Sequence, residues 1–319
     1  MRYSLSGTTS LTWPEIRSAA LLGEELGFEG FFAADHLMAV AGFDEDAGLL
    51  DAVSVLLALA PITTTLRLGA MVSPITIRHP VVLARAIQTL DLISQGRADL
   101  GVGAGWSALE HEKFGFPFPA GPRRLELFED ACRTLVALWE GRDPVYKEGD
   151  YPLQGARLNP APIQTNAPLL VAGASDHAVR IAARWGRAWN ALGSVAFLRE
   201  RIDLLRKEER QVARSGAVEV TVTLRLEFCE SSAEREAKAN AVRATPRMRY
   251  AQREAFLPGE DPTSAMYIGP WRDVGAYVAS LEEIGVQRAV IPLPRPWDPE
   301  QLRLLATTLG LHGADPLGA

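Results

Sequence analysis

The chain has 319 residues, of which 47% are hydrophobic and 23% are charged, and its formal net charge at pH 7 is −6. This composition is typical of a globular protein with a large interior, and the negative charge argues against binding to nucleic acid or to an anionic membrane. The two cysteines, Cys132 and Cys229, lie far apart in the sequence, which argues against a disulfide framework or a cysteine metal site.

The chain begins with a polar stretch rather than a secretory signal, because residues 1–10 lack the apolar segment that such a signal needs. The longest apolar window, residues 49–62, is interrupted by Asp51 and is shorter than the roughly 20 residues that span a bilayer. We therefore expect a cytoplasmic protein that is not inserted in a membrane.

Short apolar runs and amphipathic segments alternate along the chain. Thr12 and Glu15 have the spacing of a capping box, and Pro14 falls in the first turn, so a helix is predicted to begin there. In chain order, the apolar runs predict strands near Tyr3, Phe31, Leu68, Leu100, Leu170, Trp189, Leu224 and Val290. The helical patterns cover residues 13–26, 46–60, 80–93, 122–140, 175–185, 197–214, 233–244, 271–284 and 299–309. Eight strands separated by helices favour a single parallel (β/α)8 TIM barrel over a doubly wound sheet.

Three segments depart from this alternation and are predicted to be insertions within one domain, residues 1–319. They lie near residues 104–121, 142–167 and 230–270. The first is rich in phenylalanine and is predicted to be a loop over residues 110–120. The second is rich in proline and suggests a small hairpin followed by an extended connection. The third is polar and longer than loops usually are, so we expect a lid or rim.

Polar residues at the carboxyl ends of barrel strands are the first candidates for catalysis, because the loops there form one pocket. Asp35 and His36 follow the second predicted strand. A histidine exchanges a proton near neutrality, and the adjacent carboxylate could set its tautomer or orient the loop. The structural alternative is that Asp35 caps the loop and His36 is a partly buried ring.

Two glycine-containing turns follow other strands. Gly103 and Gly105 come after the fourth strand, where glycine lets the backbone approach a flat ligand closely. Gly173, Ala174 and Ser175 lie between a strand and a helix, so their N–H groups and the Ser175 hydroxyl could hold a phosphate. Ser175 could equally serve as a helix N-cap, which needs the same geometry.

The RHP sequence at residues 78–80 and the GRADLGVGAGW sequence at residues 96–106 resemble the luciferase-like monooxygenase superfamily, and most of all its deazaflavin-dependent oxidoreductases. The resemblance covers nearly the whole chain. It implies a (β/α)8 barrel that binds FMN or coenzyme F420 at its carboxyl-terminal face.

The same resemblance implies roles for individual residues. Asp35 and His36 are expected over the cofactor ring, with His36 in proton transfer. Val72 and Ser73 are expected in a bulge behind the ring, and the bond between them is the candidate for a cis peptide. The other residues expected to bind the cofactor are Gly103, Gly105, Trp106, Ala172, Gly173, Ala174 and Ser175.

Two positions depart from the pattern of the superfamily. Trp106 stands where the deazaflavin-dependent sugar-phosphate dehydrogenases have a carboxylate, which argues for a different reaction and for an apolar or aromatic substrate pocket. Glu110 or Glu112 could replace that carboxylate, or could lie on a helix surface. Arg187 could contact a phosphate or face solvent.

The resemblance implies an F420-dependent oxidoreductase that transfers a hydride between the deazaflavin and a small organic substrate. The alternatives are an FMN-dependent monooxygenase supplied with reduced flavin by a partner reductase, and a non-catalytic flavin-binding or scaffold barrel. The family also suggests a homodimer that pairs through helices near residues 46–60 and 80–93. The remaining histidines do not have the spacing of a metal site, so no metal is expected: His79, His111, His177 and His312.

Overall fold

The computed structural model describes residues 1–39, 47–141, 149–213, 216–244, 260–311 and 313, together with the backbone of residues 145–146. His312, the first residue of the helix predicted at 46–60 and the last residue of the helix predicted at 197–214 lie outside the described residues. Parts of the second and third predicted insertions, residues 142–144, 147–148 and 245–259, also lie outside them.

The helices and strands alternate as the sequence predicts. The strands are β1 (Arg2–Ser6), β2 (Gly30–Ala33), β3 (Arg67–Ala70), β4 (Ser73–Pro74), β5 (Ala98–Gly103), β6 (Val145–Tyr146), β7 (Leu153–Gln154), β8 (Leu169–Ala172), β9 (Ala188–Ala191), β10 (Glu219–Thr223), β11 (Leu226–Phe228), β12 (Tyr267–Gly269) and β13 (Arg288–Pro292). The α-helices are α1 (Trp13–Glu25), α2 (Ala52–Leu59), α3 (Pro80–Ile93), α4 (Ala108–Phe114), α5 (Gly121–Trp139), α6 (Asp176–Trp185), α7 (Val195–Gln211), α8 (Ser232–Ala244), α9 (Val274–Glu283) and α10 (Pro299–Thr308). Two short 3₁₀ helices cover Pro262–Ala265 and Trp271–Asp273.

Eight of these strands are parallel and close into a barrel, so the predicted (β/α)8 fold is confirmed. Around the ring the order is β1, β2, β3, β5, β8, β9, β10 and β13, and β13 pairs with β1. The helices bury their apolar faces against the outside of the barrel. Ile16 of α1, Leu56 of α2 and Ile87 of α3, for example, are completely buried. Of the described helices, none has the length and apolar character needed to cross a membrane.

Two local predictions are confirmed. The N–H of Thr12 donates to Glu15 Oε2 at 2.7 Å, which is half of the predicted capping box at the start of α1. In the second insertion, β6 and β7 pair in antiparallel fashion, which is the predicted hairpin. Whether the chain is one domain throughout residues 1–319 stays a prediction.

The predicted loop at residues 110–120 is wrong in its first half, because α4 occupies it. Ser107 caps this helix by accepting the Glu110 N–H at 3.3 Å, and Gly115, with φ of 74°, ends it. The helix is short and carries few apolar residues, so its periodicity gave no clear signal.

The strand predicted near Leu224, where apolar residues alternate from Val218 to Phe228, is in fact two strands. β10 belongs to the barrel, whereas β11 leaves it and pairs with β12 of the third insertion. The backbone carbonyl of Arg225, between the two, accepts the N–H of Tyr267 at 2.9 Å. The prediction failed because the alternation of apolar residues continues through both strands, and alternation does not report which strand is the partner.

The amino-terminal end of the barrel is closed by buried charges. Arg288, the first residue of β13, is 1% exposed and donates to Asp99 Oδ2 at 3.1 Å and to Glu219 Oε2 at 3.3 Å. Asp99 is 2% exposed and also accepts from Arg67 Nε at 3.0 Å. Because these residues lie at or near the first residues of their strands, they fill the end of the barrel opposite the βα loops. This end serves stability rather than chemistry.

Acid should destabilise the protein partly through Asp99. Burial raises the pKa of this carboxyl group, but the charges of Arg288 and Arg67 outweigh burial and bring the pKa to about 2, below the usual value of 3.8. Since the unfolded chain then binds the proton more readily, stability is fully present above about pH 4 and falls as the pH drops toward about 2, by roughly 2 kcal/mol. Urea unfolding between about pH 2 and pH 5 measures how steeply the free energy of unfolding depends on pH. Asp99→Asn should make this dependence shallower, whereas Asp203→Asn, a change at an exposed position, should leave it unchanged.

Candidate functional site

The carboxyl ends of the barrel strands open into a cavity of about 1600 Å³. Its wall contains residues that follow several different strands: His36, Val72, Gly103, Gly105, Trp106, Ala172, Gly173 and Ser175. The structure therefore brings together eight of the residues that the sequence singled out. Asp35, Ser73 and Ala174 are not part of the wall.

Asp35 lies behind the cavity rather than in it. Its carboxylate is buried and accepts three hydrogen bonds, from Ser73 Oγ at 2.5 Å, Arg78 Nε at 2.6 Å and Arg78 Nη2 at 2.8 Å. The hydrogen bonds that Arg78 donates to Asp35 raise the pKa of Arg78, which also forms an ion pair with Asp51. Asp35 thus ties the loop after β2 to the segment after β3, and it fixes the backbone on which His36 is carried.

The ring of His36 is held on two sides. Its Nδ1 lies 3.1 Å from Oε2 and 3.3 Å from Oε1 of Glu110. The indole of Trp106 approaches the ring edge to face, with ring centroids 5.7 Å apart and an interplanar angle of 80°. No described residue hydrogen-bonds Nε2, so this nitrogen is available to a ligand in the cavity.

The sequence left open whether Glu110 or Glu112 lies in the site, and the structure places Glu110 there. It is 1% exposed, and its Oε1 accepts the backbone N–H of Leu37 at 2.5 Å, whereas Glu112 on the same helix is exposed. Burial raises the pKa of Glu110, but hydrogen bonds from His36 and Leu37 outweigh burial, so the net shift is downward. The carboxylate is therefore ionised at neutral pH. No local signal separates Glu110 from Glu112, because the distinction depends on the loop after β2.

The cis peptide joins Met71 and Val72, so the expected position between Val72 and Ser73 is wrong by one residue. The N–H of Met71 still pairs with Ala33, and Ser73 begins β4, which pairs with β5. Val72 lies on the cavity wall, and Ser73 is buried against Asp35.

Gly103 and Gly105 have a packing reason to be glycine. A Cβ at Gly103 would lie 2.8 Å from Cγ2 of Val72, and a Cβ at Gly105 would lie 2.4 Å from Oγ1 of Thr76. Thr76 Oγ1 is itself 2.8 Å from Nε2 of His111, so it has little freedom to move. Glycine is thus needed at both positions because Val72 and Thr76 pack directly against the backbone there.

Gly105→Ala should destabilise the protein more than Gly115→Ala. The two glycines have similar positive φ, 79° and 74°, which costs alanine roughly 1–2 kcal/mol at either position. A Cβ at Gly115 meets no atom within 4 Å, whereas one at Gly105 collides with Thr76. Urea unfolding gives the loss in free energy of unfolding for each variant, and the difference between the two losses measures the cost of the collision. Equal losses would show that the loop relaxes freely.

The turn between β8 and α6 begins at the cavity wall. Ser175 caps α6 by accepting the Ala178 N–H at 3.2 Å, as the structural alternative required. Gly173 has φ of 143°, and its carbonyl accepts from Trp189 Nε1 at 2.7 Å. The turn is therefore held rigidly, with the amino-terminal end of α6 toward the cavity.

The cavity is more positive than the chain as a whole. Its charged wall residues in the described part of the chain are Arg124, Arg225, Lys238, Arg295, Glu110 and Glu227. With histidines counted as neutral they leave a net charge of +2, against −6 for the entire chain. Burial lowers the pKa of Arg225, and it lowers that of Arg295 to about 10. This excess of positive charge favours an anionic ligand.

The third insertion supplies the outer wall of the cavity. Lys238 and Val242 of α8 line it, and so do Phe228 and Trp271. These two aromatic rings stack with centroids 3.3 Å apart and planes 8° apart. The described part of this insertion is thus placed as a rim. Arg187 lies elsewhere: it donates to Gln164 Oε1 at 3.1 Å and is not part of the cavity wall.

In the described part of the chain, no group of three or more histidine, cysteine, aspartate or glutamate residues could hold a metal ion. His111 is engaged by protein atoms, since Nδ1 donates to the Ser107 carbonyl at 2.7 Å. His79 caps α3, and His177 lies 3.6 Å from Glu129.

Comparison with known proteins identifies relatives of this barrel. The F420-dependent glucose-6-phosphate dehydrogenase of Beutenbergia cavernae is 33% identical over 173 residues, which cover 54% of this chain and 50% of that protein. The chain thus spans about half the length of this curated relative.

Solved structures share the fold over almost their entire length. An F420-dependent secondary alcohol dehydrogenase in complex with an F420-acetone adduct superposes with a TM-score of 0.79 at 17% identity, covering 97% of both chains. The monooxygenase RslO1 from Streptomyces bottropensis gives a TM-score of 0.76 at 21% identity, covering 97% of this chain and 98% of the other. A sequence model of the luciferase-like monooxygenases matches residues 2–288. Because this match includes every strand of the barrel up to the start of β13, the chain belongs to the luciferase-like monooxygenase family.

Proposed function

We propose that the protein is an oxidoreductase that uses coenzyme F420 to transfer a hydride to or from a small organic substrate. The observation that carries the proposal is the His36 ring, which is held by Glu110 and Trp106 at the wall of a cavity at the barrel mouth. F420-dependent proteins among the relatives support this choice of cofactor.

The cavity fits a flat ring with an anionic tail. A volume of about 1600 Å³ exceeds the roughly 300–1,000 Å³ of most small-molecule sites, so it has room for a cofactor and a substrate together. Val72, Gly103, Gly105 and Trp106 would hold the ring, and the turn from Ala172 to Ser175 would hold the phosphate. The net positive charge of the wall suits the tail and also suits an acidic group on the substrate.

When bound, F420 supplies the carbon that accepts or donates the hydride, and the protein supplies position and proton transfer. His36 exchanges the substrate proton through Nε2, because Nδ1 is occupied by Glu110. Asp35 acts through the backbone by holding the His36 loop against Ser73 and Arg78. Trp106 and the stacked pair of Phe228 and Trp271 exclude water from the reacting atoms.

Fluorescence titration of the purified protein with F420 and with FMN tests the proposal. We expect saturable binding of F420 and weaker binding of FMN. Tighter binding of FMN would support the alternative, an FMN-dependent monooxygenase that depends on a partner reductase. Binding of neither cofactor would support the scaffold alternative and overturn the proposal.

Turnover with probe substrates is a second test. When oxidised F420 is mixed with a panel of secondary alcohols, its absorbance should fall with one of them. Alternatively, when reduced F420 is mixed with an unsaturated ketone, the absorbance of the oxidised form should appear. Three expectations stay predictions: the homodimer that pairs through helices near residues 46–60 and 80–93, the reductase partner and the cytoplasmic location.

A further inference from the structure

We infer that Glu110 is the positioning residue that fixes the tautomer of His36, which leaves Nε2 as the nitrogen that handles the proton. The inference rests on the proposed function, in which His36 exchanges a proton with the substrate. Its evidence is the juxtaposition of a buried carboxylate and the Nδ1 side of the ring.

Glu110 reaches His36 from the neighbouring helix α4. Glu110 lies in the first turn of α4, where Ser107 accepts its N–H, and its side chain crosses to the loop after β2. There it accepts the Leu37 N–H at 2.5 Å and contacts His36 Nδ1 at 3.1 Å. Two oxygens of one carboxylate therefore hold both the backbone and the ring of this loop.

The contact with Glu110 determines which ring nitrogen of His36 carries the hydrogen. An ionised carboxylate only accepts hydrogen bonds, so Nδ1 of His36 must carry a hydrogen to face it. In the neutral ring the lone pair is then on Nε2, the nitrogen that no described residue hydrogen-bonds. Among the described residues, the titratable groups that contribute to the lowered pKa of Glu110 are His36 and His111, together with the Leu37 N–H. The carboxylate therefore stays ionised and keeps one tautomer.

A neutral isostere of Glu110 would reverse the tautomer of His36. The Leu37 N–H needs an acceptor at the Oε1 position, so the amide nitrogen of Glu110→Gln would take the position of Oε2, 3.1 Å from Nδ1. Two N–H donors would then face each other unless the histidine hydrogen moves to Nε2. A ring with its hydrogen on Nε2 cannot accept a proton from the substrate there. Wrong-tautomer variants of catalytic histidines lose up to about 10⁴-fold in kcat in a serine protease.

The kinetic experiment compares Glu110→Gln with Glu112→Gln, which removes the same charge from an exposed position of the same helix. With the fastest probe substrate, we expect kcat to fall by about 10²-fold or more in Glu110→Gln, while KM and the affinity for F420 change little. Glu112→Gln should behave like the wild type. In the His36→Ala background, Glu110→Gln should cause no further loss. An additive loss in that double variant would mean that Glu110 acts independently of His36 and would overturn the inference.

Nuclear magnetic resonance decides the same question without turnover. The chain has five histidines, so protein labelled with ¹⁵N-histidine gives a simple spectrum, and His36→Ala assigns the His36 signals. Well above the ordinary histidine pKa of about 6.5, we expect the hydrogen on Nδ1 in the wild type and on Nε2 in Glu110→Gln. A hydrogen on Nε2 in the wild type would overturn the inference. Because this result needs no cofactor, it remains decisive even if the titrations contradict the proposed function.

Discussion

Replacing His36 with alanine should lower kcat by about 10²–10⁴-fold, the usual contribution of a general acid or base, while F420 still binds. The ring lies at the cavity wall with 17% of its side chain exposed, and its fixed nitrogen faces Glu110. Its loss therefore removes proton exchange and creates space without touching the turn at Ser175 that would hold the cofactor phosphate. Steady-state kinetics with the fastest probe substrate, together with F420 titration, separates the two effects.

A matched control is His79→Ala, since His79 is an exposed histidine at the start of α3 and is not part of the cavity wall. This variant should keep both turnover and binding. If His36→Ala keeps wild-type kcat, another group carries the proton, and His36 is a structural ring. If it loses F420 binding instead, the ring contributes to the cofactor site rather than to chemistry.

Replacing Arg288 with alanine should destabilise the protein by about 3–5 kcal/mol, the usual cost of removing one partner of a buried ion pair. Arg288 is 1% exposed and contacts Asp99 at 3.1 Å and Glu219 at 3.3 Å. Its removal leaves two carboxylates at the closed end of the barrel with less opposing charge, although Arg67 still contacts Asp99. Urea unfolding at neutral pH measures the loss.

An exposed ion pair provides the comparison. Arg303 has 45% of its side chain exposed and lies 3.4 Å from Glu25, so Arg303→Ala should cost less than about 1 kcal/mol. A loss of similar size at Arg288 would mean that water enters the end of the barrel and solvates the carboxylates. Arg288→Ala should also leave F420 affinity unchanged in the folded fraction, because the cluster lies at the opposite end of the barrel from the cavity.

The local pattern of the chain was enough to predict the eight barrel strands and most of the helices, although it missed α4 and the break between β10 and β11. Strand and helix periodicity, the capping box at Thr12 and Glu15 and the proline at the start of α3 depend on neighbouring residues only, so they survive in any fold. Counting the alternation gave eight strands and thus a barrel. Strand order then places His36, Val72, Gly103 and Ser175 at one end, because parallel strands all finish on the same side.

The sequence alone determined the barrel and the end of it that carries the cavity. Only the tertiary structure decided which of two adjacent polar residues faces the cavity: Asp35 turns away to Arg78, and His36 turns toward the open space. It also decided that Glu110 is buried against His36 while Glu112 is exposed, and that Arg288 closes the far end. The physical reason is the same in each case. The orientation of each of these side chains is set by hydrogen-bond and ion-pair partners that are distant in the sequence. Periodicity predicts that a residue is buried, but it does not identify the partner.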